Sequence, residues 1–225
     1  MSNIFKRTEM LIGKQGLKQL HHSRIAVIGL GAVGSYAVEA LARSGVGHLC
    51  LIDCDVVEES NINRQLYALH STIGRSKAEL ARERVLDIYP QCKVEAEKMF
   101  MHSYSIGRVI AFKPDLVIDA VDSLNAKVNI LAELHRRRIP VISSMGAALR
   151  TDPLKIRCGD LAEIRGCPLA KLVRRRLKRM GIRDGITCVY STEAVVRPSD
   201  DAELCENEMT TFDQGRKRAP LGSLP

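Results

Sequence analysis

The sequence predicts a Rossmann-like α/β fold, with a mainly parallel sheet, helices on both of its faces and a basic C-terminal extension. Two observations predict this fold. Strand-like and helix-like segments alternate from residue 24 to residue 145, an order that implies a parallel sheet covered on both sides. The first strand also runs directly into a glycine-rich turn that opens a helix.

The expected elements follow from the apolar pattern. We expect strands over 24–30, 48–53, 93–96, 116–120 and 140–144, and helices over 33–44, 77–89 and 124–137. Beyond Met145 the pattern weakens to a strand over 156–160, a basic helix over 169–180, a strand over 187–191 and a loop over 198–225. Residues 1–150 should form the nucleotide-binding unit with an N-terminal arm. Residues 151–225 should be a basic substrate-binding extension and tail of the same domain.

Length and composition indicate an ordinary globular chain. Its 225 residues can bury one core, and 45% hydrophobic with 27% charged residues is usual. The N-terminus lacks an apolar run of the signal-peptide type, and the apolar stretch 25–42 is interrupted by glycines and Glu39. We therefore expect no membrane segment and a cytoplasmic location. The seven cysteines form no C-x-x-C pair, which argues against a zinc or redox site and for reduced thiols.

The formal net charge of +8 favours a polyanionic partner such as nucleic acid. Much of the excess lies in residues 136–138 and 171–179, and either cluster could equally be a solvated helix face. Apolar residues recur at helical spacing through the second cluster. We expect its exposed face to carry Arg174, Arg175, Lys178 and Arg179.

The first chemical motif is the G-x-G-x-x-G turn that follows the first strand. Gly29, Gly31 and Gly34 allow a tight turn and let a phosphate approach the helix N-terminus. Asp53 ends the next strand, where a carboxylate can hold ribose hydroxyls. By itself this pattern fits a nicotinamide enzyme, a flavoprotein or an ATP-using enzyme.

A second set of residues favours a triphosphate. Arg64 and Lys77 can neutralise phosphate oxygens, the first as a planar fork and the second as a point charge. Asp122, just past a predicted strand, can hold a hydrated Mg²⁺ that clamps those oxygens. Each of these residues alone is more often a salt-bridge partner, so the prediction rests on the set and its order.

Together the motifs resemble the ubiquitin-activating-enzyme superfamily, which includes the adenylyltransferases of molybdopterin and thiamine synthesis. They are G-x-G-x-x-G, D-C-D at 53–55, N-I-N-R-Q at 61–65, G-x-x-K-A at 74–78 and D-x-x-D at 119–122. The resemblance implies ATP as cofactor, with ribose on Asp53, triphosphate on Asn61, Arg64 and Lys77, and Mg²⁺ on Asp122. Asp55 and Gln65, in the same motifs, are grouped with the ATP-binding residues. Arg64, Lys77 and Asp122 are the candidate catalytic residues.

Within that superfamily the chain resembles the tRNA threonylcarbamoyladenosine dehydratase branch. The similarity lies in residues 5–13, S-S-M-G-A at 143–147, C-P-L-A-K at 167–171 and V-Y-S-T-E at 189–193. It implies a ligase-class enzyme that activates a carboxylate on tRNA with ATP and closes a ring with net loss of water. The branch usually continues into an apolar C-terminal segment, for which the residues up to 225 have no counterpart.

The resemblance also implies a homodimer in which Arg7 reaches the ATP site of the neighbouring subunit. A solvated Arg7 is an equal alternative. Because ring closure uses a nucleophile within the substrate, we expect Cys167, Cys188 and Cys205 to be structural or incidental. Three other functions stay open: an adenylyltransferase acting on the C-terminal carboxylate of a sulfur-carrier protein, an NAD-dependent dehydrogenase, and a non-catalytic nucleotide-binding scaffold. Sulfur-transfer proteins stay open as partners.

Overall fold

The computed structural model describes residues 3–102 and 105–195, in which strands and helices alternate. The strands are β1 (Arg24–Ile28), β2 (His48–Asp53), β3 (Lys93–Lys98), β4 (Leu116–Asp119), β5 (Val141–Ser144), β6 (Ile156–Asp160) and β7 (Thr187–Ser191). The helices are α1 (Lys6–His22), α2 (Ala32–Ser44), α3 (Lys77–Ile88), α4 (Ile106–Ala111), α5 (Leu124–Arg136) and α6 (Pro168–Arg179). Short 3-10 helices lie at Asn3–Phe5, Glu59–Asn61, His70–Thr72 and Pro153–Lys155.

The strands form one sheet in the order β3-β2-β1-β4-β5-β7-β6. Every neighbouring pair is parallel except β6 with β7, which is antiparallel. The strand order runs outward in opposite directions from β1 and β4, so the topological switch point lies between the carboxyl ends of these two strands. Ligands of open α/β sheets bind in the crevice at such a point. The sheet confirms the predicted Rossmann-like, mainly parallel class.

Hydrophobic side chains pack on both faces of the sheet. In β1, Ala26 and Ile28 face a cluster that includes the buried residues of α5 and α6. The alternate residues Ile25 and Val27 face a second cluster that includes residues of α2 and α3. This alternation follows from the two-residue repeat of a strand, and it explains why the central strands are apolar throughout.

The glycine turn is held by close backbone packing. Gly29 has φ +86°, and a Cβ there would lie 2.8 Å from the carbonyl oxygen of Ala120. A Cβ on Gly34 would lie 1.8 Å from the carbonyl oxygen of Gly29, so α2 starts in direct contact with the turn. Both positions therefore require glycine for steric reasons, independently of any ligand.

Most predicted elements are present, with differences at their ends. The bounds of β2, β6 and β7 agree with the prediction, whereas β1 stops at Ile28 and β3 continues to Lys98. Helices α1 and α4 were not predicted. In α1 the backbone turns at Gly13, with φ 76°, and this break interrupts the apolar repeat that would signal a single long helix. The loop predicted over 198–225 lies outside the described residues.

The basic helix α6 is amphipathic, as predicted, but one arginine differs from expectation. Arg175, Lys178 and Arg179 are exposed. Arg174 is partly buried and donates hydrogen bonds to the carbonyl oxygens of Leu161 at 3.1 Å and Ile164 at 2.7 Å. It therefore holds the segment before α6 instead of sharing the exposed face, because its position on the helix turns it toward that segment. Within the described ranges, no helix combines the length and the hydropathy of a membrane span.

The packing of α2 on the glycine turn predicts the effect of a single methyl group. Gly34→Ala should lower the free energy of unfolding by about 1–3 kcal/mol, because backbone atoms must move to make room. Gly107→Ala is the matched control, since a Cβ there meets nothing within 4 Å, and alanine in a helix should stabilise by about 0.5–1 kcal/mol. Urea unfolding followed by circular dichroism measures both. Equal unfolding free energies for the two variants would contradict the proposed contact.

Candidate active site

The candidate site lies at the carboxyl ends of β1, β2 and β4, around the glycine turn. The backbone N–H of Gly29 donates to the carbonyl oxygen of Ile52 at 2.9 Å, and that of Ala120 donates to the carbonyl oxygen of Ile28 at 2.8 Å. These bonds extend the parallel pairing of the three strands by one residue. The segments that follow the strands therefore begin side by side at the switch point.

Asp53 ties the glycine turn to the segment after β2. Its side chain is buried, and one carboxylate oxygen accepts from the N–H of Leu30 at 2.6 Å while the other accepts from the N–H of Asp55 at 2.8 Å. Burial raises the pKa of the Asp53 carboxyl, and these two backbone hydrogen bonds act in the opposite direction. Since a carboxylate offers about four lone-pair positions, Asp53 keeps acceptor capacity for ligand hydroxyl groups.

Lys77 is buried at the start of α3 and points back toward β2. Its ammonium lies 3.1 Å from the Asp55 carboxylate, and its backbone N–H donates to the carbonyl oxygen of Asp55 at 3.2 Å. A lysine at a helix start is mildly unfavourable unless an anion lies nearby, and this side chain is only 7% exposed. The hydroxyl of Ser76 caps α3 by accepting from the N–H of Glu79 at 3.5 Å. The site thus holds a positive charge at a fixed position.

One group near β2 has the composition of a metal site. Ligand atoms of Asp53, Cys54 and Asp55 lie within 4.8 Å of one another. Asp53 already accepts two backbone hydrogen bonds, and the Lys77 ammonium beside Asp55 would repel a cation. We therefore assign these carboxylates to hydrogen bonding and not to a metal.

The 61–65 segment approaches the glycine turn from the other side. A Cβ built on Gly31 would lie 3.8 Å from the side-chain amide nitrogen of Gln65, so the Gln65 side chain is the neighbour of Gly31. Apart from its chain neighbours, a Cβ at position 31 would meet no closer atom among the described residues, so the backbone of the turn is open at this point. Asn61 is buried and accepts from the N–H of Glu58 at 3.3 Å, which fixes the start of the segment.

Arg64 is partly exposed and is oriented by its own segment. Its guanidinium donates to the carbonyl oxygen of Ser60 at 2.7 Å and to the Asn63 side-chain oxygen at 2.9 Å. Both bonds use the same terminal nitrogen, Nη1. A guanidinium carries five N–H donors, so several are left to contact an anion.

Asp122 is exposed and follows the end of β4 by three residues. The turn that leads to it begins at Ala120, which packs against Gly29 and Gly34. The position predicted for this carboxylate, just past a buried strand, is therefore correct. A single carboxylate suits Mg²⁺, which keeps several of its waters in protein sites.

Ser35, in the first turn of α2, anchors the 61–65 segment and was not predicted. Its hydroxyl accepts from the N–H of Leu66 at 3.2 Å, and its carbonyl oxygen accepts from the Tyr67 hydroxyl at 3.2 Å. Ser35 is fully buried although it is polar. The available signal was a small polar residue directly after the glycine motif, on the face of α2 that must pack inward.

The segment after β5 lies along the same edge of the sheet. The Glu193 carboxylate accepts from the N–H groups of Thr151 at 2.9 Å and Asp152 at 3.0 Å, and the N–H of Met145 donates to the carbonyl oxygen of Val189 at 2.8 Å. The hydrogen bond from the Asp152 N–H lowers the pKa of the Glu193 carboxyl, and the one from the Thr151 N–H lowers this pKa by a smaller amount. The C-terminal strands thus hold the 145–152 loop near the site.

Comparison with known proteins places this geometry in a family. The ThiF family matches residues 5–198. The chain belongs to the ThiF family. A relative from Bacillus subtilis strain 168, named tRNA threonylcarbamoyladenosine dehydratase, is 44% identical over 201 residues, covering 89% of this chain and 79% of the relative. This similarity confirms the resemblance to that branch predicted from the sequence.

Two further relatives match different shares of the chain. The crystal structure of the Escherichia coli tRNA N6-threonylcarbamoyladenosine dehydratase in complex with ATP superposes with a TM-score of 0.85 at 38% identity, covering 87% of this chain and 84% of that one. The Escherichia coli K12 molybdopterin-synthase adenylyltransferase is 33% identical over 137 residues, which cover 61% of this chain and 54% of the relative. The dehydratase similarity therefore extends over more of the chain than the adenylyltransferase similarity.

Four of the six cysteines in the described part of this ThiF-family chain are buried. Burial raises the pKa of the Cys54 thiol, beside the candidate site, to about 12, and it raises the pKa of Cys188 to about 12. Cys167 is buried at the start of α6, and Cys158 is exposed on β6. The placement of Cys167 and Cys188 in the core favours the structural role predicted for them. Cys205 lies outside the described residues.

These environments predict the order of thiol modification. At pH 8, iodoacetamide should modify Cys158 at least about ten times faster than Cys54, because thiolate is the reactive form and Cys54 is both shielded and held as a thiol. Peptide mass spectrometry over a time course measures each site, with buried Cys188 as the unreactive control. Modification of Cys54 as fast as Cys158 would show an activated thiol at the candidate site.

Proposed function

We propose that this protein uses ATP to adenylate the threonyl carboxylate of threonylcarbamoyladenosine in tRNA, and that ring closure with net loss of water follows. One observation carries the proposal. The contacts of Asp53 with Leu30 and of Gln65 with Gly31 bring the 53–55 and 61–65 segments to an open glycine turn at the switch point of the sheet. The fold, the family and the ATP complex of the Escherichia coli relative support ATP as the ligand of this turn.

Adenylation solves a problem of leaving groups. A carboxylate oxygen attacks the α-phosphorus of ATP, and pyrophosphate leaves. A nucleophile within the same modified nucleoside then attacks the acyl carbon, and the carboxylate oxygen departs on AMP. The net loss is one water from the nucleoside, while ATP becomes AMP and pyrophosphate. Such transfer depends on positioning and charge neutralisation more than on a covalent nucleophile of the protein.

The residues around the glycine turn would have different roles in binding ATP. Asp53 would accept the ribose hydroxyls, and the open backbone at Gly31 would receive the phosphates. Arg64 and Lys77 would neutralise the triphosphate, with Lys77 exchanging its contact with Asp55 for a phosphate oxygen. Asn61, Gln65 and Asp55 would shape this pocket through the contacts described above.

Mg²⁺ would be held by Asp122 and would stabilise the charge that develops on the departing pyrophosphate. The exposed carboxylate at the end of β4 is the support for this assignment.

The proposed activity has a direct test. The purified protein, ATP and Mg²⁺ are incubated with bulk tRNA that carries threonylcarbamoyladenosine, and nucleosides are then analysed by mass spectrometry. We expect a product lighter by one water, and ATP–pyrophosphate exchange that depends on the tRNA. Exchange stimulated instead by a sulfur-carrier protein would support the adenylyltransferase alternative, which the molybdopterin-synthase relative favours. Retention of NAD with no exchange would support a dehydrogenase.

Asp122→Asn should keep the fold but remove Mg²⁺-dependent turnover. The amide keeps the shape of the carboxylate and loses the charge that balances the metal. A loss of about 10²-fold or more in kcat is expected, comparable to removing one preorganised electrostatic group. Pyrophosphate exchange at several Mg²⁺ concentrations measures it, with Glu163→Gln, an exposed carboxylate after β6, as the control. Unchanged turnover and Mg²⁺ dependence would overturn the assignment.

A homodimer is part of the proposal. Helix α1 exposes Met10 and Leu11, which are 79% and 85% accessible, and these side chains form an apolar surface that a second copy could cover. Phe5 packs beside Gly45, at the amino end of β2 and therefore opposite Asp53. Arg7 thus lies far from the site of its own subunit, which supports a contact in the neighbouring subunit. Sulfur-transfer proteins stay a proposed partner class on the superfamily resemblance alone.

The tRNA would lie along the basic surface formed by α6 and the end of α5. A Cβ at Gly185 would lie 3.3 Å from the His135 ring, so the end of α5, with Arg136 and Arg138, comes near the segment that follows α6. Arg175, Lys178 and Arg179 are exposed on α6, whereas Arg174 would act indirectly by holding the preceding segment. In this division residues 1–150 carry the nucleotide site, and residues from 151 onward form the tRNA surface together with Arg136 and Arg138.

Salt dependence tests this surface. Replacing Arg175, Lys178 and Arg179 together by Gln should weaken tRNA binding and flatten the log–log salt slope by about 0.9 for each phosphate that the variant no longer neutralises. Titration of labelled tRNA at several salt concentrations measures both quantities. Arg82, Lys93 and Lys113, which are exposed and lie outside α1, α5 and α6, give a control with the same charge change when replaced together by Gln. Equal affinities and slopes for wild type and the α6 variant would remove this helix from the tRNA site.

A further inference from the structure

A fully buried ionic network lies beneath the candidate site and takes no part in the chemistry proposed above. Lys127 of α5, Asp119 at the end of β4 and Ser143 at the end of β5 each have 0% of their surface exposed. The Lys127 ammonium donates to the Asp119 carboxylate at 2.7 Å and to the Ser143 hydroxyl at 3.3 Å. The Ser143 hydroxyl donates to the same Asp119 oxygen at 2.6 Å. The three side chains therefore form a closed ring.

The ammonium of Lys127 has no donor left for a substrate. It carries three N–H groups, and its three acceptors are the Asp119 carboxylate, the Ser143 hydroxyl and the carbonyl oxygen of Ser144, the last at 3.0 Å. Its side chain is also sealed from solvent. Lys127 can therefore act on the reaction only through the groups that it holds.

The groups that it holds lead directly to Asp122. The second carboxylate oxygen of Asp119 accepts from the N–H of Val121 at 3.1 Å, which sets the turn immediately before Asp122. The carbonyl oxygen of Ala120, inside this turn, packs against Gly29. The network thus holds the Asp122 turn through the Val121 N–H, and the glycine turn contacts the same turn at Ala120.

The network also ties this turn to the segment after β5. Lys127 binds the carbonyl oxygen of Ser144, and the next residue, Met145, is held by its N–H bond to Val189. One ammonium therefore sets the spacing between the end of β4 and the start of the 145–152 loop. Removing a charge pair of this kind from water is costly, and an apolar pair of similar volume is often as stable. Stability alone thus gives little reason for an ion pair at this position.

We propose that Lys127 is a positioning residue, which through Asp119 holds the turn of Asp122 in register with the glycine turn and with the segment after β5. This inference rests on the proposed function, since it assigns Lys127 to the same adenylation site.

The test compares Lys127→Gln with wild type at a temperature where both are folded. The expected result is a fall of at least about tenfold in kcat for ATP–pyrophosphate exchange, with the KM for ATP within about threefold, because ribose and phosphate contacts stay in place. The Mg²⁺ concentration for half-maximal rate should rise. Leu134→Ala is the matched control: it is a buried residue of the same helix, and it should lower the melting temperature without moving kcat or the Mg²⁺ requirement.

A binding measurement separates positioning from activity. Mn²⁺ is titrated into the complex with α,β-methylene ATP, which cannot release pyrophosphate, and bound metal is followed by electron paramagnetic resonance. Lys127→Gln should weaken Mn²⁺ binding, and Leu134→Ala should not. If Lys127→Gln does not fold, Ser143→Ala replaces it, since this change removes one hydroxyl from the ring and should shift Mn²⁺ affinity and kcat in the same direction by a smaller factor.

A double substitution shows whether Lys127 acts through Asp122. In the Asp122→Asn background, Lys127→Gln should cause little further loss of exchange, because coupled residues are not additive. Full additivity, or unchanged kcat and Mn²⁺ affinity in folded Lys127 or Ser143 variants, would overturn the inference. Absence of exchange in the wild-type protein under all conditions would instead overturn the proposed function.

Discussion

The Asp53 carboxylate joins the first two strands to the turns that follow them, and the remaining geometry of the site depends on this contact. One oxygen accepts from the glycine turn at Leu30, and the other accepts from the segment that carries Asp55. Because Asp55 in turn meets Lys77, the cation at the start of α3 is placed relative to the glycine turn through a chain of only two side chains. A buried carboxylate is costly, and here two short backbone hydrogen bonds offset part of that cost.

The carboxyl edge of the sheet carries two kinds of cationic side chain, which differ in how far they are enclosed. Lys77 and Arg64 are oriented by neighbouring groups and can turn toward phosphate oxygens, whereas Lys127 is enclosed and cannot. Charge neutralisation works best when the neutralising groups need not reorganise during the reaction. Lys77 and Arg64 would bind the ligand, and the enclosed Lys127 would keep the frame around it constant.

The sequence predicted the β1–α2–β2 unit and the order of the later strands because apolar runs, glycines and strand ends are local signals. It could not predict α1 as one element, since Gly13 interrupts the repeat. It misplaced Arg174, because helical spacing gives the face of a residue but not the neighbouring segment that the face meets. Lys127 was missed as well, although its spacing from Leu124 and Leu131 places it on the apolar side of α5. A lysine on an apolar face is a local signal of a buried pair, but its partners come from strands far away in sequence.

The closed ring of Lys127, Asp119 and Ser143 has a consequence for how this lineage can change. Loss of either charged member alone would leave an uncompensated charge in the core, while a joint replacement by apolar residues of similar size can be nearly neutral. The two charged positions are therefore expected to be strongly epistatic. Variants with one replacement should be selected against, so the two residues should be kept or replaced together. Among descendants of a common ancestor, the lysine and the aspartate should be inherited as a unit, even where the surrounding surface has diverged.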